Sequence, residues 1–247
     1  MVAGGAQRPT SAAALRSPRN EIPRPFSRIE RVIIEICCGK DSRIGQKTKH
    51  SEGCLIIRVT IDDDFGTDDG VNKILLALEQ YMCYPILVWV SIPCTGGTQW
   101  TYYNWAYGGS KTRALIASHV RLFHKLFESL ERILPSISDV GGKVAIEWPK
   151  SCKYWKFPRV KALCLSAKLQ TVCFDGCAFG VKSVAPSTKG LPIKKPWRVD
   201  TDMPELLETL NRKCSCVIPH TPCAGSDTRL TESYTDDMAA AIHIGFS

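Results

Sequence analysis

Residues 31–38 read R-V-I-I-E-I-C-C and residues 86–92 read I-L-V-W-V-S-I, so each is an almost uninterrupted apolar run of strand length. Runs of this kind are typical of strands buried on both faces, as in a parallel sheet. Stretches with helical spacing alternate with them, the longest from Thr112 to Leu134, just before Pro135. Its predicted buried stripe is Leu115, Leu122, Leu126, Leu130 and Ile133. The alternation predicts an α/β fold with a mostly parallel sheet and helices on both faces.

The rest of the chain is organised around this sheet. Residues 1–28 hold five arginines and one acid and predict a disordered tail, although an Arg-rich, acid-poor segment also fits an organelle-targeting peptide. We expect an α/β domain over 29–200 and a helical extension over 201–247. Further strands are predicted at 54–61, 143–148, 169–174 and 196–199, and further helices at 71–82, 160–168, 204–211 and 235–246.

Composition limits the class of protein. Hydrophobic residues make up 44% of the chain, enough for a full core and too many for a wholly disordered protein. No apolar run reaches the roughly 18 residues needed to span a bilayer, so we expect no membrane partner. The 12 cysteines fall below the density of a disulfide scaffold. We therefore expect a reducing intracellular compartment, cytoplasm or nucleus, with an organelle as the alternative.

Positive charge is concentrated in one quarter of the chain. Residues 143–198 hold 12 basic and two acidic residues, a net charge of +10, whereas the whole chain carries +8. A field of this sign and density favours a polyanionic partner. The alternative is a basic face that is merely solvated.

Ligands of parallel sheets bind outside the carboxyl ends of the strands, which directs attention to the residues just beyond each strand. The first strand runs into C-C-G-K-D-S-R-I-G at 37–45, where Gly39 and Gly45 let backbone approach a ligand. The second runs into three aspartates at 62–64, whose distance from Gly39 suits recognition of ribose hydroxyls. An Asp-rich turn or helix cap is the alternative.

The third and fourth strands end in reactive side chains. S-I-P-C-T-G-G at 91–97 holds Cys94 at the ligand edge, where a thiol could act as a nucleophile. The fourth strand ends in A-I-E-W-P. Burial of the Glu147 carboxyl there costs desolvation free energy, which favours a functional role for it.

Aromatic residues come after both of these strand ends. After Cys94, five aromatics within eight residues form a predicted loop that could stack on a base or pack on the core as a lid: Trp100, Tyr102, Tyr103, Trp105 and Tyr107. After Glu147, W-P-K-S-C-K-Y-W-K-F-P-R-V-K mixes basic and aromatic residues, as expected of a nucleic-acid surface. A solvated, partly packed connection is the alternative.

The chain near its C-terminus reads C-S-C-V-I-P-H-T-P-C at 214–223. The spacing of Cys216, His220 and Cys223 suits a tetrahedral zinc site, which Cys214 could complete. A metal-free turn with reduced thiols is the alternative.

The order of these strand-end motifs resembles the Rossmann-like S-adenosylmethionine-dependent methyltransferases, and within them the DNA cytosine-5 branch. The resemblance covers about residues 31–200 and includes A-F-G-V at 178–181. It implies a Rossmann-like fold and S-adenosylmethionine as cofactor. The cofactor-binding residues it implies are Glu35, Cys38, Gly39, Gly45, Asp62, Asp63, Asp64 and Pro93.

The resemblance also implies a reaction. Cys94 would attack C6 of a flipped cytosine while Glu147 hydrogen-bonds its N3 edge. The expected partner is nucleic acid, DNA in preference to RNA, contacted by Trp100, Lys150, Lys153, Tyr154, Trp155, Lys156, Arg159, Lys194, Lys195 and Arg198.

Two alternatives stay open. Asp41 and Ser42 occupy positions where the family prefers glycine, and Thr95 stands where it prefers Gln, so a non-catalytic nucleic-acid-binding protein on a degenerate methyltransferase fold is the second hypothesis. A methyltransferase acting on a small molecule or a protein is the third.

Overall fold

A computed structural model of the chain describes Met1 and residues 28–247. The predicted tail at 1–28 therefore lies, except for its two end residues, outside the described residues. One six-stranded sheet runs through the described part in the order β2-β1-β3-β4-β6-β5. Its strands are β1 (Arg31–Ile36), β2 (Cys54–Val59), β3 (Ile86–Val90), β4 (Lys143–Pro149), β5 (Gln170–Asp175) and β6 (Pro196–Thr201).

The predicted mostly parallel sheet is confirmed, with one antiparallel strand. β2, β1, β3 and β4 pair in parallel, whereas β6 lies antiparallel between β4 and β5. A parallel partner would require a crossover that carries the chain back to the opposite edge. Residues 176–195 make no such crossover. They contain a 3₁₀ turn and the bridge between Lys182 and Pro192, and β6 therefore begins next to the carboxyl end of β5.

Helices cover both faces of this sheet. The described residues form seven α-helices, of which α1, α3 and α4 pack on one face and α5 and α7 on the other. Their bounds are α1 (Asp68–Gln80), α2 (Gln99–Tyr107), α3 (Ser110–Asp139), α4 (Pro158–Ser166), α5 (Pro204–Leu210), α6 (Ser226–Leu230) and α7 (Asp236–Gly245).

Alternate residues of the central strands feed two hydrophobic cores. In β1, Val32 and Ile34 face the core under α3, whereas Ile33 faces the core under α7, and all three are fully buried. The second core takes Leu206 from α5 and Ile242 from α7. The C-terminal residues therefore cover the sheet directly rather than extending away from it.

The long helix differs from the prediction in length and in the side chains that it buries. α3 continues through Pro135 to Asp139, although a proline inside a helix removes one backbone hydrogen bond and crowds the carbonyl of the preceding turn. Leu115 and Leu122, expected on the buried stripe, are 56% and 42% exposed. The buried positions of α3 are Ile116, Phe123, Leu126, Phe127, Ser129, Leu130, Ile133 and Ile137.

All 12 cysteines of the sequence lie in the described part of the chain, and none of them forms a disulfide. Among the described residues, no helix combines the length and the apolar character that crossing a membrane requires.

The register of α3 can be tested with two leucines of the same helix. Leu130 is fully buried, so Leu130→Ala should lower the free energy of unfolding by about 2–5 kcal/mol. Leu115→Ala, at an exposed site, should change it by less than about 0.5 kcal/mol. Urea unfolding followed by circular dichroism measures both; equal losses would contradict the observed register.

Candidate functional site

The candidate site lies at the carboxyl ends of β1 and β3, the switch point of the sheet. β1 is paired with β2 on one side and with β3 on the other, so the chain connections leave in opposite directions there, and open α/β sheets bind their ligands at such a point. Cys37, the first residue after β1, has φ +61°, a left-handed conformation that non-glycine residues adopt rarely and mostly at functional sites. The predicted cofactor turn therefore departs from the strand through a strained residue.

Glu35, one residue before the end of β1, is a buried carboxyl group at this switch point. It is 1% exposed; Ser42 Oγ donates to its Oε1, and its Oε2 has no partner among the described residues. Burial raises the pKa of Glu35 to about 7, against the lowering effect of Ser42 and Arg58. Ser42, which stands where the resemblance would prefer glycine, thus holds a predicted cofactor-binding carboxyl.

Glu147 is a second buried carboxyl on the same face of the sheet. The hydroxyl of Tyr234 donates to Glu147 Oε2 at 3.0 Å, while Oε1 has no partner among the described residues. The Tyr234 hydroxyl in turn accepts from Trp89 Nε1 at 2.9 Å and lies 2.6 Å from Ser91 Oγ. Burial raises the pKa of Glu147 to about 7, and Lys195 and Tyr234 oppose that shift.

Cys94 lies beside Glu147 on a tightly packed loop. The N–H of Gly97 donates to the Cys94 carbonyl at 2.7 Å, and a β-carbon at Gly97 would come within 2.6 Å of Cys152 Sγ. Burial and, next, the charge of Glu147 raise the pKa of the Cys94 thiol to about 11, while Lys195 lowers it. The predicted nucleophile and the predicted acid therefore interact electrostatically, and the thiol is protonated at neutral pH.

Of the other predicted cofactor residues, several already have local partners. Asp63 closes a capping box with Thr60 and pairs with Lys73 at 2.6 Å. For this aspartate the structure agrees with the alternative of a helix cap. Asp64 pairs with Lys125 at 3.5 Å. Asp62 is exposed and pairs at 2.5 Å with Lys40, a residue of the turn after β1.

The small residues of the turn have distinct surroundings. Gly45 makes room for Arg58, whose Nη2 would lie 1.9 Å from a β-carbon there. Cys38 Sγ donates to the backbone carbonyl of Glu35 at 3.3 Å, and Gly39 and Pro93 are exposed.

The prediction that Tyr154 and Trp155 stack on nucleic acid is wrong. Tyr154 is fully buried and stacks on Phe123 with ring centroids 3.8 Å apart, and Trp155 is 5% exposed. The core under α3 takes up both rings because the 3₁₀ turn Lys153–Lys156 folds them inward, beneath the lysines. Stacking on a base requires a free ring face, which neither residue has.

The basic residues of this region divide into two groups. Arg159 is paired with Glu131, Arg198 is paired with Asp200 and lies 4.2 Å above the Trp155 ring, and Lys195 donates to the carbonyl of Thr231. The members whose side chains reach solvent with no ion-pair partner among the described residues are Lys150, Lys153, Lys156 and Lys194.

The expected aromatic loop is the helix α2, which packs only one side chain inward. Thr101 is 4% exposed, and its hydroxyl donates to the Thr95 carbonyl at 3.1 Å. The lid interpretation is thereby wrong, since all five aromatic side chains point to solvent: Trp100, Tyr102, Tyr103, Trp105 and Tyr107.

A Cys/His cluster lies at the far end of β5 and differs from the predicted one by one ligand. His220 Nε2 is 3.2 Å from Cys214 Sγ and 3.3 Å from Cys177 Sγ, and with Cys216 all four donor atoms lie within 4.8 Å of one another. Cys223 is not a member, because its thiol contacts the Thr231 hydroxyl at 3.1 Å instead. The cluster could hold a metal ion.

Sequence reasoning missed Cys177 and Tyr234. Cys177 is distant in sequence from the C-x-C motif, and its only local signal was a cysteine in the glycine turn after β5. Tyr234 had a weak signal, as an aromatic directly before the helix-capping Thr235. Comparison of the chain with protein-family models, curated proteins and solved structures finds no match.

The buried carboxyls make a prediction about pH. Their pKa is raised from 4.5 to about 7, so between these values the folded chain binds more protons than the unfolded one. The stabilisation is complete below pH 4.5 and is lost as the pH rises to about 7. Glu147→Gln should abolish its share, about 3 kcal/mol, because the amide does not titrate.

Urea unfolding of wild type and Glu147→Gln at several pH values measures this difference. Glu30→Gln, at an exposed carboxyl, is the control and should follow the wild-type profile. Parallel stability profiles for wild type and Glu147→Gln would contradict the prediction.

Proposed function

We propose that this protein is an S-adenosylmethionine-dependent methyltransferase that acts on nucleic acid, DNA in preference to RNA, with C5 of cytosine as its target. The observation that carries the proposal is the placement of Cys94 and Glu147 within electrostatic range of each other. Cys94 follows β3 and Glu147 lies near the end of the adjacent strand β4, beside the switch point between β1 and β3. A thiol and a carboxyl near one carboxyl edge are the two groups that this chemistry needs.

The topology supports the Rossmann-like part of the proposal. The order β2-β1-β3-β4 is that of a doubly wound sheet, to which β6 adds an antiparallel strand between β4 and β5. The switch point of such a sheet falls between β1 and β3, next to the predicted cofactor turn.

The turn after β1 fits S-adenosylmethionine. Glu35 Oε2 is a buried acceptor without a partner among the described residues, as expected of an oxygen that awaits a ligand donor. Asp62, after β2, is exposed and forms an ion pair with Lys40 of that turn at 2.5 Å, so it is the acid nearest the predicted cofactor turn and the candidate for ribose hydroxyls. When bound, the cofactor supplies an electrophilic methyl group on its sulfonium.

The chain's own groups would activate the base. Glu147 takes the proton of the Cys94 thiol and passes it to N3 of cytosine as the sulfur adds to C6. The C5–C6 π electrons then belong to an enamine, which makes C5 nucleophilic toward the methyl group. After methylation, C5 loses its proton to solvent, the S–C6 bond breaks, and the N3 proton returns through Glu147 to the departing sulfur.

The electrostatics of the pair suit this exchange. A carboxyl with pKa about 7 can both accept and donate a proton near neutral pH. The Cys94 thiol, with pKa about 11, reacts only when Glu147 relieves it of its proton during attack. The Cys94 thiol is therefore nucleophilic only when a cytosine is bound whose N3 takes up that proton.

The exposed lysines support a polyanionic substrate. Lys150, Lys153 and Lys156 flank the end of β4, which carries Glu147, and Lys194 precedes β6. They can neutralise phosphates without breaking an existing ion pair.

We also propose that the Cys/His cluster binds zinc in a structural role. Around a tetrahedral zinc ion, sulfur and nitrogen ligands lie about 3.5–3.8 Å apart, and the cluster already approaches this spacing. Three thiolates and one imidazole fill all four positions, which leaves none for catalysis. Zinc bound to reduced thiols supports an intracellular, reducing compartment.

The second candidate is a nucleic-acid-binding protein without methyltransferase activity. The raised pKa of the Cys94 thiol favours it, because a thiol protonated at rest is a poor nucleophile. Such a protein would bind nucleic acid in a salt-dependent manner and would have no affinity for S-adenosylmethionine.

Calorimetry and one variant separate the two candidates. The methyltransferase should bind S-adenosylmethionine or its demethylated product, and Cys94→Ser should bind it equally well but lose methyl transfer by orders of magnitude. An oligonucleotide with 5-fluorocytosine should trap wild type as a covalent adduct detectable by mass spectrometry. Cys83→Ser, at an exposed thiol, is the control. Full activity in Cys94→Ser would exclude cytosine C5 chemistry, and absence of cofactor binding would favour the second candidate.

Metal analysis of the purified chain tests the zinc site. We expect one zinc per chain in wild type, and loss of that zinc together with a lower Tm in Cys177→Ser. Cys223→Ser should retain the metal, because that thiol lies outside the cluster. Zinc lost from Cys223→Ser but kept in Cys177→Ser would refute the ligand set.

A further inference from the structure

Helix α2 exposes more aromatic surface than folding accounts for. Its five aromatic side chains are between 51% and 77% exposed. Contiguous exposed apolar surface of this kind marks an interaction site in soluble proteins. The members are Trp100, Tyr102, Tyr103, Trp105 and Tyr107.

The rings are ordered along one side of the helix. Trp100, Tyr103 and Tyr107 recur at the spacing of one helical face, with ring centroids 6.5 Å and 4.7 Å apart between successive members. The helix begins immediately after the Cys94 loop and is tied to it by the hydrogen bond from Thr101 to Thr95. The aromatic face is therefore fixed next to the candidate site.

Charge identifies the kind of partner. Residues 91–127, which contain α2 and the first half of α3, hold four basic residues and no acid. Residues 148–174 hold six basic residues and no acid, and Lys153 Nζ lies 5.6 Å from the centroid of the Tyr102 ring. Exposed rings within and next to segments that hold basic and no acidic residues suit a ligand that presents flat apolar faces and negative charges together.

We infer that α2 is a stacking platform for unpaired bases, and that the substrate of the proposed function is single-stranded nucleic acid. This inference rests on that function, because α2 would bind the nucleotides on either side of the base that enters the candidate site. Base faces are covered by neighbouring pairs in a duplex, so only unpaired bases can stack on a protein ring. The lysines near α2 would meet the phosphates of the same strand.

Binding of fluorescently labelled DNA by the full chain tests the inference. A mixed-sequence single strand should bind at least about tenfold more tightly than a duplex of the same length. Trp100→Ala with Tyr103→Ala should reduce affinity for the single strand roughly tenfold or more, as loss of stacking does. Its slope of log affinity against log salt should stay unchanged, because that slope counts phosphate contacts.

Three controls accompany the double variant. Trp100→Phe keeps a ring and should bind nearly as wild type does. Lys153→Ala should make the slope of log affinity against log salt shallower, in contrast to the ring variants. Leu165→Ala removes an exposed apolar side chain from α4, 81% exposed, and should have no effect. The substituted rings are exposed, and an unchanged Tm verifies that the variants fold.

Tighter binding of the duplex by wild type, or unchanged affinity in the double variant, would overturn the inference. A double variant that still binds the strand but loses self-association in light scattering would make α2 a contact between copies of the chain, which also overturns it. The failures are distinguishable. If α2 binds single strands but the protein does not bind S-adenosylmethionine, only the proposed methyltransferase function is refuted. If the double variant still methylates a duplex, only the stacking role of α2 is refuted.

Discussion

The parallel strands at the centre of this sheet must be covered on both faces, and most of the structure depends on that constraint. β1 and β3 contribute side chains to two cores, so neither face can be left to solvent without exposing a run of Val, Ile and Leu. α1, α3 and α4 supply one cover, and α5 and α7 supply the other, which is why the C-terminal residues cannot be detached from the sheet. Only the edge where the strands end is free to hold polar groups.

Two carboxyls are nevertheless buried near that edge, on the face covered by the C-terminal helices. Glu35 and Glu147 each have one oxygen that is satisfied, by Ser42 and Tyr234 respectively, and one that has no partner among the described residues. An unsatisfied buried oxygen costs stability, and a carboxyl in that position resists ionisation. The same environment keeps the Cys94 thiol protonated. The carboxyls therefore stay largely protonated below about pH 7, and the thiol stays protonated at neutral pH.

The Cys/His cluster connects to this site through a short path of contacts. Cys177 lies in the 3₁₀ turn Gly176–Phe179, and the carbonyl of Phe179 accepts a hydrogen bond from the Thr235 hydroxyl. Thr235 comes directly after Tyr234, whose hydroxyl donates to Glu147. A metal in the cluster would fix the irregular segment between α5 and α6 against the sheet. The position of Tyr234 thus depends on residues that are far apart in the sequence.

The fold and the site were predictable to different extents. Nearly every strand and helix could be predicted from periodicity, because burial on both faces leaves a continuous apolar signal. α2 could not, because it buries only Thr101 and therefore has no apolar stripe that faces the core. Placing Cys94 and Glu147 at one edge needed only the rule that parallel strands end together.

The sequence by itself determined the α/β class, the parallel centre of the sheet and the residues at its carboxyl edge, since each depends on local apolar runs and on the few residues directly after them. Tertiary structure decided which side chains are free to act. It buried Tyr154 against Phe123, paired Arg198 with Asp200, replaced Cys223 by Cys177 in the cluster and brought Tyr234 to Glu147. Partners of this kind are chosen by packing between distant segments, and no local pattern in the chain encodes them.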